Sequence, residues 1–144
     1  MRILFLGDVV GVSGCSKVIK NLPEQIKENM IDFVVLNGEN AADQGVGLTK
    51  EICEDFFSCG VNVITTGNHV WDQKEIMNFI DQEKRLLRPK NLFEPAPGKG
   101  FEVFTLSENK KIGVLNLMGN VFMKKCDDVF ETSKKFIEKY SLKK

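Results

Sequence analysis

Histidine is nearly missing from this chain: His69 is the one histidine in 144 residues. A site that needs several imidazoles cannot be assembled from it. Net charge is missing too, with Lys+Arg and Asp+Glu equal at 20 each. That balance offers no electrostatic case for gripping a nucleic-acid backbone or an anionic membrane, and leaves a small nucleotide open as a ligand. The four cysteines, Cys15, Cys53, Cys59 and Cys126, form no Cys-x-x-Cys pair, which argues against a structural zinc site. Long apolar runs are lacking. "MRILFL" is stopped by Gly7 and Asp8 too early for a secretory h-region, and nothing approaches the ~18 apolar residues of a membrane helix. The expectation is a cytoplasmic protein with reduced thiols.

What is there suits a single domain, 1–144. Hydrophobic residues make up 42% of the chain, enough for a folded core rather than disorder. "RILFLG", "DFVVLNG" and "VNVITTG" are short β-rich apolar runs and are read as buried strands. Helical patterns follow each. The first runs through "KVIKNLPEQIKEN", after a turn punctuated by Gly11 and Gly14 and with Pro23 expected to break or restart it. The second is "LTKEICEDFFSCG", with Thr49 as cap and Gly60 as stop. The third is "WDQKEIMNFIDQ", with Ile76, Phe79 and Ile80 on one face. This alternation predicts an α/β fold with a parallel βαβαβ first half. "LLRPKNL" is at most a short extended piece. "FEVFTL" and "KIGVLNLMG" around "SENK" predict an antiparallel hairpin. Residues 127–140 predict a lysine-rich amphipathic helix with Phe130, Phe136, Ile137 and Tyr140 on its apolar face. No internal repeat, low-complexity tract or linker interrupts the chain.

The three early strands end alike, in Gly7-Asp8, Gly38-Glu39-Asn40 and Gly67-Asn68-His69. Ligands of open parallel sheets bind beyond the carboxyl ends of the strands, so neighbouring strands would bring Asp8, Glu39, Asn40, Asn68 and His69 to one rim. Glycine before each polar residue would let the backbone turn sharply and approach a ligand. Taken singly, each has a plainer role: Asp8 as an Asx-turn or N-cap residue, Glu39 and Asn40 as loop polar groups, His69 as a solvated side chain. Turn chemistry alone rarely repeats the pattern three times. Two carboxylates with amide oxygens are hard ligands suited to Mn, Mg or Fe, and paired metals ~3.5–4 Å apart clamp a phosphoryl group. An imidazole beside them could give a proton to the leaving oxygen.

"MRILFLGDVVG", "VVLNGENAADQGVGLT", "ITTGNHVWDQKEI", "LLRPKN" and "PGKGF" together resemble the bacterial calcineurin-like metallophosphoesterases of the 2′,3′-cyclic-nucleotide phosphodiesterase type. The likeness runs in register from Met1 to about Asp128. It is specific: "GEN" puts a glutamate where most metallophosphoesterases place a bridging aspartate. The resemblance implies an α/β/β/α sandwich and two divalent metals, iron or manganese. It implies that Asp8 and Asn40 bind the first metal, Glu39 bridges both, Asn68 binds the second, and His69 is the proton donor. The implied substrates are small phosphodiesters, cyclic nucleotides among them.

The resemblance also implies ligands not present here. The family's further metal-binding histidines stand later, in a Phe-His-Ala-Glu-like motif and a Gly-Thr-His-Thr-His motif. The expectation is thus the N-terminal part of a metallophosphoesterase domain, a truncated sandwich with apolar surface exposed on the hairpin and first helical layer, and weak or no phosphodiesterase activity by itself. It would form a homo-oligomer or be completed by a complementing C-terminal chain, as one half of a split enzyme. A non-catalytic nucleotide- or anion-binding regulatory module is the alternative. A dinucleotide-binding fold is disfavoured, because "GDVVGVSG" spaces its glycines G-x-x-x-G-x-x-G rather than G-x-G-x-x-G.

Overall fold

The computed structural model describes residues 1–92, 95–123 and 125–140. Along the chain run β1 (Ile3–Leu6), α1 (Gly11–Asn29), β2 (Phe33–Asn37), α2 (Lys50–Ser58), β3 (Val63–Thr65), a 3₁₀ helix (Lys74–Asn78), β4 (Leu86–Leu87), β5 (Phe101–Ser107), β6 (Lys110–Leu115) and α3 (Val129–Tyr140). The first four strands form one parallel sheet in the order β1-β2-β3-β4, in register Ile3↔Phe33, Val35↔Val63 and Ile64↔Leu86. β5 and β6 pair antiparallel across the turn expected at "SENK".

The layers follow from which side chains each strand turns inward. Val34, Leu36 and Ile64 face Leu22, Phe56, Ile76 and Ile80 of the helical layer, all buried. Phe33, Val35, Val63 and Leu87 point the other way, onto Ile112 and Phe104 of the hairpin, and the Phe33 and Phe104 rings lie 5.3 Å apart. On the hairpin's outer face Phe101 meets Phe136 and Tyr140 of α3, at 4.5 and 5.0 Å between ring centroids. Helices, parallel sheet, hairpin and α3 are thus stacked in the α/β/β/α order. Each large apolar side chain taken fully from water contributes roughly 1.5–3 kcal/mol. Among the described residues, no helix is long and apolar enough to cross a membrane.

Four expectations are corrected. First, α1 starts at Gly11 and runs straight through Pro23 to Asn29. One missing N–H is outweighed by Val18, Ile19, Leu22 and Ile26 packed at helical spacing against the core. The helix ends on Met30 at φ 50°, with Met30 N donating to Lys27 O and Ile31 N to Ile26 O, a Schellman closure. Second, "WDQKEIMNFIDQ" makes only the short 3₁₀ helix. Its polar residues serve other segments: Gln73 Nε2 donates to Val46 O at 3.0 Å, and Glu75 Oε1 accepts from Lys50 N at 2.8 Å, at the start of α2. Ile76 and Ile80 are buried as expected. Third, α3 turns Phe136 and Tyr140 to the hairpin but leaves Phe130 78% and Ile137 59% exposed.

Fourth, β1 is not buried. It is an edge strand, with Ile3 49% and Phe5 63% exposed, whereas all of β3 and most of β2 are inaccessible. A strand paired on one side only keeps half its surface open. The other elements fall as read: Thr49 Oγ1 caps α2 by accepting from Ile52 N, Gly60 follows its end at φ +110°, and "LLRPKNL" contributes the two-residue β4.

Burial also sets thiol reactivity. Cys53 is 2% exposed, and desolvation first, then the nearby Glu83, Glu54 and Glu75, push its thiol above the ordinary cysteine range. Iodoacetamide should therefore leave Cys53 unmodified in the folded protein and label it in guanidinium. Peptide mapping that finds equal labelling under both conditions would refute this burial.

Candidate functional site

Because β1, β2 and β3 are parallel neighbours, their carboxyl ends share one rim. Backbone ties then draw the segments beyond them together. Val9 N donates to Asn37 O at 3.1 Å, Gly11 N to Asn40 O at 2.9 Å, and Val10 and Asn40 form an isolated parallel bridge. These bonds set Asp8 beside Asn40, whose Nδ2 donates to Asp8 Oδ2 at 2.8 Å. With its nitrogen held there, the amide oxygen of Asn40 points elsewhere.

Among the described residues, Asn40 Oδ1 and Glu39 Oε2 are buried and have no hydrogen-bond partner. Leaving such an oxygen unpaired costs about 1–3 kcal/mol, and more when it carries charge. Glu39 is fixed by its backbone, its carbonyl accepting from Gly47 N at 2.6 Å, and its carboxylate lies over Gly67. A Cβ on Gly67 would run into Oε2, with the carboxylate carbon only 2.6 Å away. None of Gly7, Gly38 and Gly67 has positive φ. The chain does turn there, Gly38 O accepting from Ala41 N and Gly67 O from Val70 N, but without positive φ those turns do not themselves demand glycine. At Gly67 the requirement is space, and the group that approaches is Glu39.

Asn68 and His69 follow directly, both half-buried. Two successive turns, Val70 N to Gly67 O and Asp72 N to His69 O, coil the segment back. This coil brings His69 Nδ1 to 2.6 Å from Asp72 Oδ2. The contact uses one ring nitrogen and leaves Nε2 as the one available to a ligand. The layer beneath is pinned as well: buried Asn116 donates from Nδ2 to Thr66 O at 2.7 Å and Leu87 O at 2.9 Å, joining the exit of β6 to the ends of β3 and β4.

The structure thus joins Asp8 to Asn40 and Glu39 to the β3 end, and places Asn68 and His69 on the same rim. Sequence reasoning assigned no role to Asp72 or Asn116. The His-x-x-Asp spacing, one turn apart, carried a signal for Asp72; nothing local marks Asn116. Among the described residues, no three of His, Cys, Asp and Glu gather as a metal-binding group. The donor set here is half amide: two carboxylates and two asparagines. The two orphaned oxygens, neither of them accepting a hydrogen bond, fit a hard cation such as manganese, magnesium or iron.

Comparison with known proteins agrees with the fold. A family model described as YmdB-like protein matches residues 4–144. A 2′,3′-cyclic-nucleotide 2′-phosphodiesterase of Bacillus subtilis (strain 168) is 44% identical over 130 residues, covering 90% of this chain and 48% of that protein. The crystal structure of a hypothetical protein from Thermus thermophilus superposes with a TM-score of 0.87 at 36% identity, over 96% of this chain and 53% of that one. That of a novel phosphatase from Mycoplasma pneumoniae gives 0.87 at 34% identity, over 96% and 51%. The chain spans about half the length of the curated relatives it matches. The resemblance read from the strand-end motifs holds across almost the whole chain, which belongs to the YmdB-like protein family.

Proposed function

We propose that the rim is the oxygen-donor part of a metal-dependent phosphodiesterase site, acting on small phosphodiesters of the cyclic-nucleotide class and turning over slowly in this chain alone. The observation that carries this reading is the pair of buried, unpartnered oxygens, Glu39 Oε2 and Asn40 Oδ1, beside Asp8. A bound hard cation would satisfy such oxygens. The relative named as a 2′,3′-cyclic-nucleotide 2′-phosphodiesterase supports the substrate class.

Asp8, Glu39, Asn40 and Asn68 would hold the cations, Glu39 from just past the end of β2. When bound, such ions set positive charge against the phosphoryl oxygens. As a water attacks phosphorus and forms the new P–O bond, losing its own proton to solvent, His69 hands a proton from Nε2 to the leaving oxygen and the old P–O bond breaks. Asp72 is a positioning residue: its carboxylate holds Nδ1 and so aims the opposite nitrogen. Slow turnover follows from the donor set, since with one histidine in the chain the cations are held without further imidazoles.

The test is calorimetry with manganese, followed by hydrolysis of a 2′,3′-cyclic nucleotide and of an aryl phosphodiester. Expected are manganese binding lost in Glu39→Gln, and slow manganese-dependent hydrolysis lost in His69→Ala. Asp72→Asn should lower kcat by about tenfold with little change in KM and leave manganese binding intact. Nucleotide binding that ignores manganese would overturn the reading in favour of a non-catalytic binding module. Fast hydrolysis would overturn the slow-turnover clause.

A further inference from the structure

Two loops beyond the sheet carry the rim, and a side chain of one reaches the other. The loop after β2 leaves with Glu39 and Asn40 and returns at Gly47. There the Gly47 N–H donates to Glu39 O at 2.6 Å, and the Gly47 carbonyl accepts from Ala42 N at 2.9 Å. The next residue, Leu48, is fully buried in the core and anchors the return. The segment after β3 carries Asn68, His69 and Asp72 and ends at Gln73, whose carbonyl accepts from the N–H of buried Ile76 at 3.1 Å. Each loop is thus pinned at its far end, and the far ends touch. Gln73 stands at the N-terminal cap position of the 3₁₀ helix, yet its side chain makes no capping hydrogen bond. Its Nε2 crosses instead, donating to Val46 O at 3.0 Å and to Gln44 Oε1 at 3.3 Å. Gly47 meets the same place from the other loop. At its φ of +80°, a Cβ would lie 2.7 Å from Gln73 Cγ, 3.0 Å from Gln73 N and 3.5 Å from Asp72 Cβ.

We propose that Gln73 is a positioning residue for the site, locking the loop of Glu39 and Asn40 onto the segment of Asn68 and His69; this inference rests on the metal-dependent reading above. The residues that would hold the cations fall on both sides of the tie, with Asp8, Glu39 and Asn40 on one and Asn68 on the other. The proton donor is on the second side, held by Asp72, the residue before Gln73. The sheet does not by itself fix the spacing of the two sides, because these residues stand beyond the strand ends, where ladder hydrogen bonds no longer set the backbone. A reacting group misplaced by ~1 Å can cost on the order of 10²-fold in rate, so a tie between the loops matters more than its own hydrogen bonds would suggest.

The experiment compares the full chain with Gln73→Met, which keeps an unbranched side chain of similar length and removes the amide donors. Glu75→Ala is the structural control. It severs the neighbouring tie to Lys50 N, which holds the start of α2 and not the Glu39 loop. Three quantities are read on protein shown to be folded by circular dichroism. The first is the ring resonances of His69 without metal, unambiguous because the chain has one histidine. The second is manganese affinity by calorimetry, and the third is kcat and KM for the cyclic nucleotide at saturating manganese. Expected in Gln73→Met are shifted His69 resonances and a manganese affinity lowered about fivefold, the worth of one neutral hydrogen bond. At saturating manganese kcat should fall about tenfold while KM stays within about twofold. Glu75→Ala should leave all three as in the parent chain. Unchanged His69 resonances or unchanged manganese affinity in Gln73→Met would overturn the proposal. So would equal effects in Glu75→Ala, since Gln73 would then matter only to folding. A parent chain that binds no manganese would defeat the metal-dependent reading and this inference with it, a failure distinct from one confined to Gln73→Met.

Discussion

Gly67→Ala is expected to abolish manganese binding while costing little stability, under about 1 kcal/mol, because only the flexible end of Glu39 has to move. One methyl group has this effect because the added carbon would occupy the place of the Glu39 carboxylate. The Glu39 backbone stays in place, held by Gly47 N and through Asn40 by the Gly11 N–H, so the carboxylate itself has to swing away, and Oε2 has no hydrogen bond to hold it. Its departure dismantles the donor set. Gly119→Ala is the control, because a Cβ there meets nothing within 4 Å. Calorimetry with manganese and urea denaturation read the two effects separately. Full manganese binding in Gly67→Ala would mean that Glu39 is not a ligand.

Arg88→Leu is expected to destabilise the fold by about 3 kcal/mol or more, close to the upper range for single substitutions. Arg88 is 2% exposed, yet its guanidinium donates to backbone carbonyls that include Pro89 O at 2.9 Å, Ala96 O at 3.0 Å, Pro97 O at 3.2 Å and Lys90 O at 3.5 Å. Charge-assisted bonds of this kind are worth about 1.5–3 kcal/mol each, and leucine would leave the carbonyls buried without donors. Lysine should not rescue, since an ammonium group cannot reproduce the planar fork that reaches several acceptors at once. The loop held this way leads into Lys99, which closes the β4 side of the sheet. Urea midpoints give the result, and a loss under about 0.5 kcal/mol, the range of an ordinary surface change, would sink the argument.

The parts of this molecule legible in the sequence are those set by local pattern. β2 and β3 show as apolar runs because both of their faces are covered. The hairpin shows because "SENK" separates two β-rich runs. The rim shows because a parallel sheet sends successive strand ends to one side, which makes three Gly-polar motifs a spatial cluster. What was not legible depends on partners distant in the chain. β1 is as apolar as β2, and its pairing, among the described residues, with β2 alone makes it an edge. Gln73 and Glu75 fit a helix by spacing, but each is taken by another segment, Val46 and Lys50, and the helix shrinks to a 3₁₀ turn. Pro23 reads as a breaker until the packing on either side of it is known. Phe130 and Phe136 are indistinguishable by type, and the ring of Phe101 decides which of them is covered. At the site, Asp72 was readable by spacing, whereas Asn116 gains its meaning only from Thr66 and Leu87.

The order of strands in the parallel sheet is also the order in which they leave the ribosome. Each pairing from Ile3↔Phe33 to Val35↔Val63 closes a loop of about 30 residues, and each newly emerged strand adds to the outer side of the last. Among the described residues, no strand of this sheet has to be inserted between two already joined. The sheet can thus assemble during synthesis, in one direction, and the hairpin, whose pairing is local, can close over Phe33 and Val35 once they are in place.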